Sequence, residues 1–247
     1  MNTPPVLRVL QASDFHLCAD PDTLTYGTNT DQSLCSVLNV LREYALPDGL
    51  LIATGDLSQD GSAASYDRLG LILQRTGLEF CCLPGNHDDA PRMRASLPCP
   101  QRIRRAGWHV ILLDTTLPDS PGGSIKESDL LHIGEWLHEF PNTPCLIFMH
   151  HAAVSVASPW LDTMRIDNAD NLLNCLASFD QIKAVVFGHV HQELDIHYRG
   201  IRFLACPSTC AQFLPKSAQF ALDPIAPGFR WIDLYGNGHM ETGIVRV

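Results

Sequence analysis

Residues 80–88 read Phe-Cys-Cys-Leu-Pro-Gly-Asn-His-Asp. Four apolar residues without polar alternation describe a strand buried on both faces. Pro84 and Gly85 stop it, and Asn86, His87 and Asp88 follow at once. The same grammar recurs outward from this stretch. Leu7–Ala12 runs into Ser13-Asp14-Phe15-His16, and Gly49–Ala53 into Thr54-Gly55-Asp56. Cys145–Met149 runs into His150-His151, and Ala184–Phe187 into Gly188-His189-Val190-His191. His109–Leu113 is a further apolar run. Helical spacing fills the intervals. Thr30–Tyr44 places Leu34, Val37, Leu38 and Leu41 on one face, and Ala63–Gln74, Asp129–Glu139 and Asp170–Phe179 are similar. Strand–helix alternation predicts an α/β fold, whose strands share an edge at their carboxyl ends where ligands bind. After Gly188 the pattern changes. Leu194–Tyr198, Ile201–Ala205, Gly228–Leu234 and His239–Arg246 read as an antiparallel meander with turns at Arg199-Gly200 and Gly236-Asn237-Gly238, suited to a second sheet packed on the first.

No repeat, low-complexity segment or Gly/Ser-rich linker divides the 247 residues, so a single domain over 1–247 is expected. A net charge of -10 argues against broad nucleic-acid binding, which relies on a basic face. Arg92, Arg94, Arg102, Arg104 and Arg105 form one basic cluster, read as a solvated loop and helix face. The opening residues show no export signal, and runs such as Val110–Leu113 are far too short to span a bilayer. Nine cysteines without a C-x-x-C pair read as reduced thiols in a cytoplasmic protein. Cys206 and Cys210 are spaced closely enough to meet, a weak signal for a metal site or a disulfide.

Five strand ends carrying Asp, Asn or His would converge on one spot. Gathering such groups without a cation leaves them poorly compensated. Seven candidate ligands emerge: Asp14, His16, Asp56, Asn86, His150, His189 and His191. Mixed nitrogen and oxygen donors suit divalent iron, manganese, zinc or cobalt. No cysteine belongs to the set, which argues against a structural thiolate zinc site. Seven ligands exceed one open site, and two metals sharing a bridging carboxylate fit the count. Gly55, Gly85 and Gly188 each precede a candidate ligand, which suggests tight turns that aim the next side chain.

The series D-x-H, G-D, G-N-H-D, H and G-H-x-H, intact from Asp14 to His191, resembles the calcineurin-like metallophosphoesterase superfamily. The resemblance implies a four-layer α/β/β/α sandwich: two mixed sheets flanked by helices, with a dinuclear centre at the strand ends. Within the superfamily the chain looks like the bacterial class III 3′,5′-cyclic nucleotide phosphodiesterases. Thr54–Gly61, Pro84–Asp88, Phe148–Ala152, Gly188–His191, Cys206–Pro215 and Tyr26–Thr30 carry that closer likeness. One departure is His150-His151-Ala152, where many relatives have H-H-P; its expected effect is on loop geometry rather than ligation.

The resemblance assigns Asp14, His16, Asp56 and His191 to one metal. It assigns Asp56, Asn86, His150 and His189 to the other, with Asp56 bridging. His16, Asp56, Asn86, His87 and His191 would surround the substrate, and Asp56, Asn86 and His87 would act in catalysis. Two cations about 3.5–4 Å apart can hold a hydroxide that attacks phosphorus in line. His87 would then protonate the leaving 3′-oxygen, turning cyclic AMP into 5′-AMP. The expected cofactors are two divalent ions, iron or manganese first, with zinc and cobalt as options. The expected partner is a small cyclic nucleotide, with no nucleic acid and no membrane, in a monomer or homodimer. Two alternatives stay open: the same centre acting on another phosphodiester or a phosphomonoester, or an inactive scaffold. Asp60 reads as a group that orients a ligand by hydrogen bonding, or as a turn residue. His109, His132, His138, His197 and His239 lie outside the motif. Trp160 follows the His150-His151 loop and is a candidate contact for a base.

Overall fold

The structure is a computed structural model that describes residues 4–247. Strand β1 (Leu7–Ala12) leads to a tight hairpin of β2 (Leu24–Thr25) and β3 (Thr28–Asn29), then to helix α1 (Thr30–Glu43). The Asn29 side chain caps α1 by accepting from the Gln32 N–H. Next come β4 (Leu50–Thr54), α2 (Ala63–Gln74, capped by Ser62), β5 (Glu79–Leu83) and α3 (Ala90–Ser96, capped by Asp89). Then follow β6 (Arg102–Arg105), β7 (Trp108–Leu112), α4 (Glu127–Glu139), β8 (Cys145–Met149), α5 (Ala169–Leu176) and β9 (Ile182–Phe187). The chain ends in strands β10 (Leu194–Tyr198), β11 (Ile201–Ala205), β12 (Gln212–Phe213), β13 (Leu222–Asp223), β14 (Gly228–Leu234) and β15 (Met240–Arg246).

Two mixed sheets result. One has the order β15-β14-β1-β4-β5, the other β10-β11-β9-β8-β7-β6. Strands β1, β4 and β5 run parallel in the first, and β11, β9, β8 and β7 in the second. Period-two alternation sends each central strand's side chains into two different cores. Val9, Leu50, Ile52 and Leu83 meet Val110, Leu112, Phe148 and Val186 between the sheets. Leu10, Leu51 and Cys82 face Leu34, Leu38, Leu69 and Leu73 from α1 and α2. Ile111, Ile147 and Val185 face Ile133, Leu137, Leu172 and Leu176 from α4 and α5. Three cores between layers make the α/β/β/α sandwich that the family resemblance implied.

The expected C-terminal meander is divided between the sheets. The β10–β11 hairpin extends the second sheet through β11 against β9, and the β14–β15 hairpin extends the first through β14 against β1. Both hairpins satisfy their local pattern, but each also has to cover an open sheet edge. The arginine cluster is likewise not a helix face throughout: Arg102–Arg105 form the edge strand β6. Charged side chains there discourage pairing with another chain. Arg102 pairs with Glu139, Arg105 with Glu79, Arg94 with Asp114 and Arg92 with Asp89, while Arg104 lies over the Phe140 ring.

Candidate metal centre

The carboxyl ends of β1, β4, β5, β8 and β9 bring all seven candidate ligands to one edge shared by both sheets. Five of them have left-handed backbones: Asp14 (φ 57°), His16 (φ 52°), Asp56 (φ 49°), His189 (φ 65°) and His191 (φ 49°). Non-glycine residues rarely adopt this region, and clusters of them mark functional sites. Backbone bonds between the two strand ends hold the loops in place: His16 N–H donates to the Asp56 carbonyl at 2.9 Å and Asp14 N–H to the Gly55 carbonyl at 3.0 Å.

The glycines before the ligands work mainly by making room. Only Gly55 has a positive φ, at 90°. A Cβ on Gly85 would strike the Asp56 carboxylate and the His150 ring; on Gly188 it would strike the Ser13 hydroxyl. The tight-turn explanation therefore holds for Gly55, and close approach of neighbouring groups explains the other two.

The ring nitrogens decide what the cluster can bind. His16 Nδ1 lies 2.7 Å from Gln59 Oε1, His191 Nδ1 lies 2.7 Å from the Ala211 carbonyl and His150 Nδ1 lies 2.8 Å from the Thr54 carbonyl. Each partner is an acceptor, so each Nδ1 carries the proton. The Nε2 atoms then face inward. His16 Nε2 faces His191 Nε2 at 3.2 Å, and His191 Nε2 faces Asp14 Oδ1 at 3.5 Å. His150 Nε2 lies 3.2 Å from Asn86 Oδ1 and 3.4 Å from Asp56 Oδ1. Acceptors aimed at acceptors are compensated only by a proton or a cation.

The electrostatics divide the rings. Burial pushes His16 down to about 4 and His189 well below its ordinary value, so both rings are neutral, the form that binds metal. Burial also lowers His150, but Asp56 beside it prevails and pushes it up to about 9. Burial alone would raise the Asp14 and Asp56 carboxyls. His191 outweighs it for Asp14 and His150 for Asp56, and both are held below the usual carboxylate range. Neither aspartate is paired with a lysine or arginine among the described residues. Asp14, His16 and His191 have donor atoms within 4.8 Å of one another, as do Asp14, Asp56 and His150. The donor set thus fits divalent cations bound by nitrogen and oxygen, with Asp56 touching both halves.

His189 stands slightly apart. Its backbone N–H donates to Asp14 at 3.0 Å, and its Nε2 is buried without a partner. Its ring packs against those of His150 and His151. His151 Nδ1 lies 2.7 Å from Thr115 Oγ1, and burial lowers this ring to about 3. The two adjacent histidines therefore point differently: His150 toward Asp56 and Asn86, His151 behind it. His87 is half-buried; its backbone N–H donates to Asp56 at 2.9 Å, while its ring lines an open cleft of about 750 Å³ with Asn86, Arg92 and Lys126.

Asp60 does not touch a candidate ligand. It accepts from Ala19 N–H at 2.7 Å and from Ser58 and Ser62, tying two loops together. Asp88 does comparable work deeper down, accepting from Leu57, Ser58 and Gly85 N–H groups and the Tyr66 hydroxyl. Burial and the nearby Asp56 raise it to about 7. Gln59 was not singled out from sequence, although it sits within the Thr54–Gly61 block. Cys206 and Cys210 bond to different carbonyls, those of Gln11 and Thr25, and burial lifts both thiols to about 12. The other histidines lie away from the centre: His132 stacks on Trp136, and His109 is buried on β7.

A family model described as calcineurin-like phosphoesterase matches residues 7–193, a span holding all five polar blocks. The chain is 38% identical over 249 residues to a Vibrio vulnificus protein named 3′,5′-cyclic adenosine monophosphate phosphodiesterase CpdA, covering 98% of this chain and 90% of that one. It is 35% identical to the Pseudomonas aeruginosa protein of the same name, covering 100% and 93%. Among solved structures, a dimetal phosphatase from Danio rerio superposes with a TM-score of 0.71 at 13% identity, covering 96% of this chain and 98% of that one, a likeness of fold. Sandwich, strand-end ligands and sequence likeness agree, and the chain belongs to the calcineurin-like phosphoesterase family.

Proposed function

We propose that the protein hydrolyses 3′,5′-cyclic AMP to 5′-AMP with two divalent cations, iron or manganese before zinc or cobalt. The observation that carries this is the meeting of imidazole Nε2 atoms and buried carboxylates at one point. Relatives named as cyclic AMP phosphodiesterases, similar along nearly the whole chain, support the substrate. In this reading residues 1–247 are one metallophosphoesterase domain, consistent with a core drawn from both sheets.

Asp14, His16, Asp56 and His191 would hold one cation, and Asp56, Asn86, His150 and His189 the other. When bound, such cations supply Lewis acidity and a nucleophile at neutral pH. Asn86 contributes an oxygen without negative charge, so an anionic phosphate is not repelled. His16 and His191 would also border the substrate. His87 is the general acid: from the cleft wall it gives a proton to the 3′-oxygen as the P–O3′ bond breaks. Nine free cysteines suit a reducing compartment, and we infer a cytoplasmic location. Among the described residues no helix is long and apolar enough to cross a membrane.

The test is hydrolysis of cyclic AMP, cyclic GMP and a simple phosphodiester, side by side, after chelation and return of single metals. Metal-dependent release of 5′-AMP is expected. Cleavage of the simple diester with cyclic AMP left intact would overturn the substrate assignment.

A further inference from the structure

Beside the His16–His191 pair, three distant segments bring aromatic rings together. Tyr26 is the first. It occupies, with Gly27, the two-residue turn between β2 and β3, with φ values of 52° and 78°. Such turns favour Asn, Asp and Gly, so a bulky aromatic there is an outlier. Its ring is what the position presents: the centroid lies 5.9 Å from His16, 6.3 Å from His191 and 5.8 Å from Phe213.

Phe213 is stacked flat on His191 at 3.9 Å and so packs against the centre directly. It ends β12, and the loop from there to β13 returns Phe220 to the same place. Phe220 lies 5.7 Å from Tyr26 and is tilted by only 32°, yet 52% of it is exposed. Trp160 arrives from the loop after β8, 5.2 Å from Phe213 and 5.7 Å from Phe220. Its indole Nε1–H is buried without an acceptor in the fold, an unusual condition for a buried donor. An exposed phenyl ring, a strained tyrosine and an unsatisfied indole donor thus share one wall of the centre.

We propose that Tyr26, Trp160 and Phe220 form the subsite for the nucleobase, a planar heteroaromatic ring that stacks on Phe220 and Tyr26. This deepens the proposed hydrolysis and rests on it for the identity of the substrate. In a cyclic nucleotide the base lies one sugar ring away from phosphorus. Tyr26 and Phe213 adjoin His16 and His191, so a phosphate held at the centre lets the base reach this wall. Stacking of this kind tolerates any base but rejects a substrate that lacks one.

The experiment separates base recognition from chemistry. Binding of 5′-AMP and of ribose 5-phosphate is measured by calorimetry on the metal-loaded wild type, on Phe220→Ala and on Phe220→Tyr. Phe220 is half exposed, so its truncation leaves the three cores intact. The wild type should prefer 5′-AMP by roughly ten-fold or more, Phe220→Ala should lose most of that preference, and Phe220→Tyr should keep it. In parallel, KM for cyclic AMP should rise in Phe220→Ala by a similar factor with kcat within about two-fold. A preference for 5′-AMP that survives Phe220→Ala overturns the subsite. So does an equal loss for 5′-AMP and ribose 5-phosphate, which would place the effect at the metals. A wild type that prefers 5′-AMP through Phe220 yet leaves cyclic AMP intact supports the subsite and overturns the hydrolysis.

Discussion

His16 Nε2 lies 3.2 Å from His191 Nε2, and each ring has its Nδ1 tied to an oxygen acceptor. Two lone pairs held face to face in a buried site repel each other unless a proton or a cation lies between them. The fold keeps this arrangement with left-handed backbones at both residues.

A cation that relieves this repulsion binds the folded chain far better than the unfolded one. Removing metal with a chelator should lower the melting temperature, and returning manganese should restore it. At a free metal concentration 100 times its dissociation constant the gain is about 2.7 kcal/mol, or roughly 5–10 °C for a chain of this size. Thermal unfolding with and without chelator measures it; no shift would count against a metal site.

Gln59 orients His16 through the 2.7 Å contact to Nδ1. Gln59→Ala should free the ring to change tautomer and weaken metal binding by roughly 10–100-fold. Competition with a chromogenic chelator reads this directly, and circular dichroism should be unchanged.

Gly85→Val places a side chain against the Asp56 carboxylate and His150. Metal content should fall before secondary structure does, because the clash is with candidate ligands and not with the cores. Metal analysis beside far-ultraviolet circular dichroism tests the order of the two losses. The destabilisation expected from overpacking is about 1–3 kcal/mol.

His87→Ala removes the proposed proton donor but leaves the backbone N–H that braces Asp56. Bound metal should stay at wild-type level while kcat falls by roughly 10²–10⁴. Unchanged turnover would remove His87 from the mechanism.

Cys206 and Cys210, pushed up to about 12 by burial, expose almost no thiolate below that pH. Iodoacetamide at pH 8 should spare both in the native protein and label them after unfolding, as counted by mass spectrometry. Exposed Cys35 should react first, slowly, because burial of its sulfur raises it too.

Much of the architecture was legible because it is written in short-range patterns. Apolar runs such as Leu50–Thr54 and Cys145–Met149 are buried at every position, as a strand between two layers must be. Helix α2 begins and ends where its periodicity does. The hairpins β2–β3 and β12–β13 escaped notice, since two-residue strands show no period. Strand β6 was missed because alternating arginines on an edge resemble a solvated loop.

The chain's own residues determined where the buried strands lie along the sequence and which seven polar groups stand at their ends, because a strand's burial and its stop signal are local properties. Three-dimensional packing chose which sheet each terminal hairpin joins, since that depends on which edge is left uncovered. It also selected the ring nitrogens that face inward, through acceptors at Thr54, Gln59 and Ala211 that lie far along the chain from the rings they hold. The aromatic wall of Tyr26, Trp160 and Phe220 arises the same way. No spacing links three residues spread over nearly 200 positions, and only the closing of both sheets around one edge sets them side by side.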